Sequence, residues 1–385
     1  MAEVDMGEAS AIGGDLILVL NSGSSSLKFG LYQPGAADEE PVLVGSADGI
    51  GRGDGSLRIR WSDGKTIVRR DGIQESQSDA LAALATAMRE HAGGVPAVVG
   101  HRVVHGGPRL SHHQVITPQV LEQLRSAVHF APLHIPQALS LIAAAQTIFP
   151  TAVQFACFDT AFHRTIPEVA AHLPLPQRYF DAGVRRYGFH GISYESLVHH
   201  FGASLPSRAV FAHLGNGASL CAVRDGKSID TTMGLTPTGG IPMGTRSGDL
   251  DPGVILYLLR NEEFDADSLE DLLNHHSGLF ALSSGEGDVK ALQERALAND
   301  AAARLALDVF AVAVRKQIGA YIALMGGVDL LVFAGGIGEH SEQVRSGATE
   351  GLGSFGLTAD KIQVVAAAEE LQMARHCRAI VRKSH

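Results

Sequence analysis

The chain has 385 residues, 45% of them hydrophobic and 19% charged, enough for two domains with cores of ordinary size. With 41 acidic against 31 basic residues, the formal charge of −10 argues against a general nucleic-acid binder, and no stretch reaches the roughly 20 apolar residues of a membrane span. Cys157, Cys221 and Cys377 are scattered and form no C-x-x-C pair, which speaks against a disulfide framework or a zinc site.

Residues 1–14 are acidic and Gly-rich, with neither a basic nor an apolar leader region, and read as a flexible tail rather than a signal peptide. A cytoplasmic protein is expected. Leu16 to Leu20 is a continuous apolar run that predicts a buried strand. Asn21-Ser22-Gly23-Ser24-Ser25-Ser26-Leu27-Lys28 follows as a polar loop entering a second strand near Phe29 to Tyr32, and a third strand is expected near Val42 to Val44. Ser78 to His91 has helical spacing, with Leu81, Leu84 and Met88 on one face. A strand from Ala97 to Val104, two Pro-led helices (118–128 and 136–149) and a strand at Val153 to Phe158 close this half.

The same order then returns. A strand at Ala209 to Leu214, a Gly215-Asn216-Gly217-Ala218 loop and a strand at Ser219 to Arg224 lead to a third strand at Ser228 to Asp230. Helices are expected near 252–260, 268–276 and 296–325, then a buried strand at Leu330 to Ala334. A helix from Ser341, a strand at Ile362 to Val365 and a helix from Glu369 end the chain. The pattern predicts a duplicated α/β chain whose halves flank a nucleotide cleft, each presenting a small-residue loop between its first two strands. The expected boundaries are 15–159 plus about 370–385 for domain I, and 160–369 for domain II.

The Asn21 to Lys28 loop can cradle phosphate through backbone donors, or it can be a Ser-rich hairpin turn; it lacks P-loop spacing. His213 to Gly217 is equally an Asn-Gly turn or its counterpart in the second half. Gly335-Gly336-Ile337-Gly338-Glu339, after a buried strand, forms a glycine turn that allows close approach to a base or ribose. Arg102, Arg246 and His190 stand in Gly-rich contexts suited to carboxylate or phosphate, or serve as surface charge and a structural imidazole. Asp159 ends a strand, where α/β sheets place reactive groups, or caps the next turn.

NSGSSSLK, GHRVVHGG, FDTAFHRTIP, RRYGFHG, HLGNGASL, TPTGGIPMGTRSGDLDPG, AGGIGEH and the terminal EELQMAR occur in one order from about residue 16 to about residue 380. Together they resemble the acetate kinase family, within the superfamily of sugar kinases, actin and heat-shock chaperone ATPases. The resemblance implies duplicated actin-like (ribonuclease H-like) domains that transfer phosphate reversibly between ATP and acetate, giving acetyl phosphate and ADP. It also implies Mg²⁺, with Mn²⁺ as a substitute, held by Asn21 and Glu369. Asp159, His190 and Arg246 would be catalytic. Arg102 would bind the carboxylate, with Val104, Leu133, Phe189 and Pro237 around its alkyl end. Lys28, His213, Leu214, Gly215, Asn216, Gly217, Asp288, Val289, Lys290 and the Gly335 to Glu339 turn would surround ATP, and a homodimer is implied.

Four positions depart from the family pattern: Lys290 for Arg, His340 for Asn, and Ile135 and Ala138 for asparagines. Propionate or another short-chain acid is the alternative acceptor. A sugar kinase or an actin- or chaperone-like ATPase would explain the nucleotide loops but not Arg102, His190 and Arg246 together. A carboxylic acid with pKa near ~4–5 is already ionised at neutral pH and needs no general base. Asp159 then reads as an orienting group.

Overall fold

The computed structural model describes residues 16–381, apart from positions 24, 34–38, 52, 54, 73–74, 93 and 263. The expected tail at 1–14 and Ser24 of the first polar loop lie outside the described residues. The chain divides into two compact units. One holds the residues up to Ala161 and those from Ala368 onward; the other is Phe162–Ala367.

The first unit is built on an eight-stranded sheet of β1 (Leu16–Ser22), β2 (Ser26–Tyr32), β3 (Pro41–Asp48), β4 (Ser56–Trp61), β5 (Thr66–Asp71), β6 (Pro96–Val103), β7 (Gln114–Val115) and β8 (Val153–Phe158). Their spatial order is β5-β4-β3-β2-β1-β6-β8-β7. β1 to β5 form an antiparallel meander, while β6 runs parallel to β1 and β8 parallel to β6. Every residue of β1 is buried, as a near-continuous apolar run requires of a central strand covered on both faces. Leu18, Leu20, Phe29 and Leu31 pack with Leu81 and Leu84 of the Gln77–Ala87 helix and Leu141 of the Ile135–Ile148 helix. The Glu369–Val381 helix packs on β1, β2 and β6, so its first turn arrives at one end of the sheet.

The second unit repeats the plan with β9 (Arg208–Leu214), β10 (Ala218–Arg224), β11 (Lys227–Thr231), β12 (Leu330–Ala334) and β13 (Ile362–Val364), in the order β11-β10-β9-β12-β13. β9, β10 and β11 are antiparallel, β12 is parallel to β9, and β13 is parallel to β12. This matches β3-β2-β1-β6-β8 strand for strand, so the duplication read from the sequence is a duplication of topology. Tyr194 and Leu197 of the Gly191–Phe201 helix pack on Phe211, Cys221, Val223 and Val332. The Ala301–Met325 helix buries Phe310, Val314, Ile318 and Tyr321.

Several expectations are corrected. The hairpin β4–β5 was not anticipated, although Leu57 and Ile59 point inward between outward Arg58 and Arg60 with strand alternation. The single helix expected over 296–325 is two, Val289–Leu297 and Ala301–Met325. Asn299 turns left-handed at φ 66°, and the Asp300 side chain then caps the new helix by accepting from Ala302 and Ala303 N–H at 2.9 and 3.1 Å. The Gly335 turn is itself the short helix Gly335–His340. Among the described residues no helix is long and apolar enough to cross a membrane.

Candidate active site

In the first unit, three consecutive strands of the parallel set deliver their carboxyl ends to one place, where open α/β sheets carry ligands. Asn21 is the penultimate residue of β1, Arg102 of β6, and Asp159 follows β8 directly. Asp159 is 1% exposed, and its Oδ2 accepts from Arg102 Nε at 2.9 Å and Nη2 at 2.6 Å. Arg102 Nη1 donates to Asn21 Oδ1 at 3.1 Å, and Asn21 Nδ2 donates to Glu369 Oε2 at 3.0 Å and Glu370 Oε1 at 2.8 Å. Burial works to lower the Arg102 pKa, but Asp159, Glu369 and Glu370 outweigh it and the net shift is upward. The described bonds occupy three of the five guanidinium N–H groups. Lys28 is exposed on β2, paired in register with Asn21. Val104, half-buried, continues from β6, and Leu133 stands exposed in the turn before the Ile135–Ile148 helix. Ile135 and Ala138, where asparagines were expected, are buried on that helix.

In the second unit the two candidate histidines, His190 and His213, are held by serines. His190 caps the Gly191–Phe201 helix in a left-handed conformation (φ 57°, ψ 23°), uncommon for a residue with a side chain. Its Nδ1 lies 2.8 Å from Ser219 Oγ, and Ser219 Oγ lies 2.6 Å from the Tyr194 hydroxyl. The His213 ring stacks on His190 at 4.3 Å, with its Nδ1 2.8 Å from Ser193 Oγ. A methyl group on Gly217 would sit 3.3 Å from His190 Nε2 and 3.5 Å from Arg246 Nη1. The glycine therefore leaves open the spot on which these two nitrogens converge. Arg246 Nη1 also donates to the Pro237 carbonyl at 3.2 Å.

Beneath this cluster lies His163, which sequence reasoning left as part of a motif. One ring nitrogen meets the Phe189 carbonyl at 2.9 Å and the other Ser228 Oγ at 2.8 Å. Burial pushes its pKa down to about 4, against the Phe189 bond, so near neutral pH the ring is uncharged and anchors the residue before His190. Phe189 is itself buried.

Of the nucleotide candidates, the His213 to Gly217 stretch and Gly335 meet at the β9–β10 turn. Leu214 is buried, Gly215 and Gly217 close the turn with a 3.0 Å backbone bond, and Asn216 is exposed. Gly335, at φ +75°, passes so close that an added Cβ would lie 2.8 Å from the Leu214 carbonyl. Gly336 faces open space, while Glu339 accepts from Ala367 N–H at 3.3 Å. Asp288 caps the Val289–Leu297 helix; Val289 is buried, so it offers only backbone, and Lys290 is exposed. Sequence reasoning missed Glu370, Tyr194, Ser193, Ser219 and His163. Tyr194, one helical turn after His190, was the most legible of these.

The acetokinase family model matches residues 16–379. The acetate kinase of Methylocella silvestris is 40% identical over 377 residues, 93% of this chain and 92% of that protein. The solved acetate kinase of Porphyromonas gingivalis aligns with a TM-score of 0.83 at 31% identity, over 96% of this chain and 100% of that one. A propionate kinase from Francisella tularensis aligns with a TM-score of 0.86 at 33% identity, over 94% and 98%. Matched over nearly its whole length in sequence and in fold, the chain belongs to the acetokinase family and is an ATP-dependent carboxylate kinase.

Proposed function

We propose that the chain catalyses reversible transfer of the γ-phosphoryl group of ATP to acetate, giving acetyl phosphate and ADP. The observation that carries this reading is the convergence of Arg246 Nη1 and His190 Nε2 past Gly217. Two nitrogen donors aimed at one spot suit the equatorial oxygens of a phosphoryl group in flight, where fixed donors act most strongly on developing charge. In the other unit Arg102 supplies the guanidinium for the acceptor carboxylate, whose two oxygens match its planar fork. Asp159 Oδ2, an oxygen a general base would use, already accepts two N–H bonds from Arg102. That arrangement suits an acceptor ionised before it binds, and Asp159 orients Arg102 rather than taking a proton. Val104, Leu133, Phe189 and Pro237 are the proposed surroundings of the acetate methyl.

The chain's oxygen donors fit Mg²⁺. Glu369 and Glu370 carboxylates both reach one amide nitrogen of Asn21, which gathers hard ligands at the end of β1. Asn21 and Glu369 would hold the ion, whose chemistry when bound is to neutralise phosphate charge. In this structure the Asn21 amide oxygen faces Arg102.

A homodimer is supported by the Pro252–Asn261 helix, which buries none of its residues although it runs Val-Ile-Leu-Tyr-Leu-Leu. Leu256 and Tyr257 are about half exposed. An apolar surface of this kind is normally covered by a partner.

Trapping acyl phosphate with hydroxylamine tests the reaction. Hydroxamate should form from ATP with acetate, more slowly with propionate, and not at all with glycerol or glucose. It should stop with EDTA and resume with Mg²⁺ or Mn²⁺. ADP release that is indifferent to carboxylate would overturn the reading.

A further inference from the structure

Ser219 is fully buried on β10, its hydroxyl between Tyr194 Oη at 2.6 Å and His190 Nδ1 at 2.8 Å. Tyr194 is also fully buried, one turn after His190 on the same helix, with its N–H bonded to the His190 carbonyl at 3.1 Å. A serine hydroxyl has one hydrogen to give and two lone pairs; a phenol has one hydrogen. These counts limit where the protons sit.

Burial raises the Tyr194 pKa well above the ordinary value, so its hydroxyl keeps its hydrogen. Among the described residues, the side-chain acceptor within reach of that hydrogen is Ser219 Oγ. If Ser219 also accepted a hydrogen from His190 Nδ1, its own hydrogen would have no described partner in a fully buried place, a costly arrangement. The arrangement that matches every hydrogen runs Tyr194 O–H to Ser219 Oγ, then Ser219 O–H to His190 Nδ1. The proton of a neutral His190 ring is then on Nε2, the nitrogen near Gly217 and Arg246.

We propose that Tyr194 and Ser219 are positioning residues, a buried hydroxyl relay that fixes His190 as the Nε2–H tautomer. His190 is thereby a hydrogen-bond donor to the transferring group and not a proton acceptor. The inference rests on the phosphoryl-transfer reading given above. The stacked His213 ring, with its own Nδ1 on Ser193, confines the His190 plane from the side and leaves the relay to set its proton.

The tautomer can be read directly, without turnover, by ¹⁵N NMR of the full chain labelled at histidine. His190 resonances are assigned by their loss in His190→Gln. Near neutral pH the wild type should show a bare Nδ1 and a protonated Nε2. Ser219→Ala should give a mixture of tautomers. Tyr194→Phe, which frees Ser219 to accept from Nδ1–H, should shift the mixture the same way. Both variants should lose about tenfold or more in kcat, with KM for ATP and acetate within about twofold, as expected when a donor to the transition state is lost. A wild-type His190 carrying its proton on Nδ1 would overturn the relay. So would variants that keep both the wild-type tautomer and full kcat. If Ser219→Ala does not fold, the wild-type and Tyr194→Phe spectra still decide. Failure of the wild type to make acyl phosphate refutes the proposed reaction instead, and leaves the tautomer measurement standing.

Discussion

Arg102 shows why a residue's type and context can be legible in the sequence while its contacts are placed only by the fold. Its strand end and Gly-rich context are plain in the sequence, but its fork lands on Asp159, 57 positions away. Removing it would leave Asp159 buried without its partner, a change that costs about 3–5 kcal/mol in stability by itself. Arg102→Lys is the cleaner test, because it keeps the charge and loses the fork. It should lower kcat/KM for acetate by roughly two orders of magnitude, and Arg246→Ala should do the same. Circular dichroism should match wild type in both, and near-normal turnover in both would remove them from the site. Two histidines carry a second residue-scale expectation. His101, bonded to Gln154 at 2.8 Å, and His163 each have pKa values pushed down to about 4 by burial. Because the folded values lie below the unfolded value of 6.5, both contributions are fully present above pH 6.5. Between there and about pH 4 the unfolded chain takes up protons first, and stability falls by about 1.4 kcal/mol per pH unit per histidine. The urea midpoint should therefore drop over that window, and His101→Gln should reduce the slope. Parallel curves for the variant and the wild type would refute the assignment.

At the scale of the element, loops are held by backbone approaches that only glycine permits. Gly278, at φ +61°, opens a short helix, and a Cβ there would lie 2.1 Å from the Met243 carbonyl and 2.5 Å from that of Arg246. Met243 N–H in turn closes on the Arg246 carbonyl at 3.0 Å. Gly278→Ala should therefore push the Arg246 loop out of place without touching a reacting atom. A shift of about 1 Å in a catalytic group costs on the order of 100-fold, so kcat/KM should fall by at least tenfold. Turnover equal to wild type would show that the loop adapts. The signal for this was half legible. Ser277-Gly278 marks a turn in any sequence, but that the turn lies against residues 243–246 follows from packing. The missed β4–β5 hairpin is the opposite case. Its alternation of Leu57, Arg58, Ile59 and Arg60 was there to read, and the sheet uses it as the pattern dictates.

For the whole molecule, the exposed apolar helix Pro252–Asn261 makes association the testable property. Its run from Pro252 to Leu259 carries no charge, whereas Asp251 precedes it and Arg260 follows. Two copies packed antiparallel would bring each Asp251 end beside the partner's basic end and bury both apolar surfaces. Sedimentation should show a dimer for the wild type and a monomer for Leu256→Glu combined with Tyr257→Glu. A double variant that sediments as the wild type would mean that this helix is not the contact. The duplicated sheets belong to the same scale. Each copy places antiparallel strands first and parallel strands after, so in the first unit Asn21, Arg102 and Asp159 reach one end of the sheet from three separate stretches of chain.

By itself the sequence determined the strands of continuous apolar character, the Pro-led helices, the doubling of the order of elements, and the residue types able to handle carboxylate and phosphate. Those features are local: burial period, cap residues and charge do not depend on what lies far away in the chain. Tertiary structure decided which of those residues touch. It set Arg102 on Asp159, drew Glu370 in beside Glu369, and placed Ser219 and Tyr194 behind His190. A hydroxyl or a second carboxylate looks like any surface group until burial removes water and obliges it to find a partner. That obligation arises only when the chain has folded.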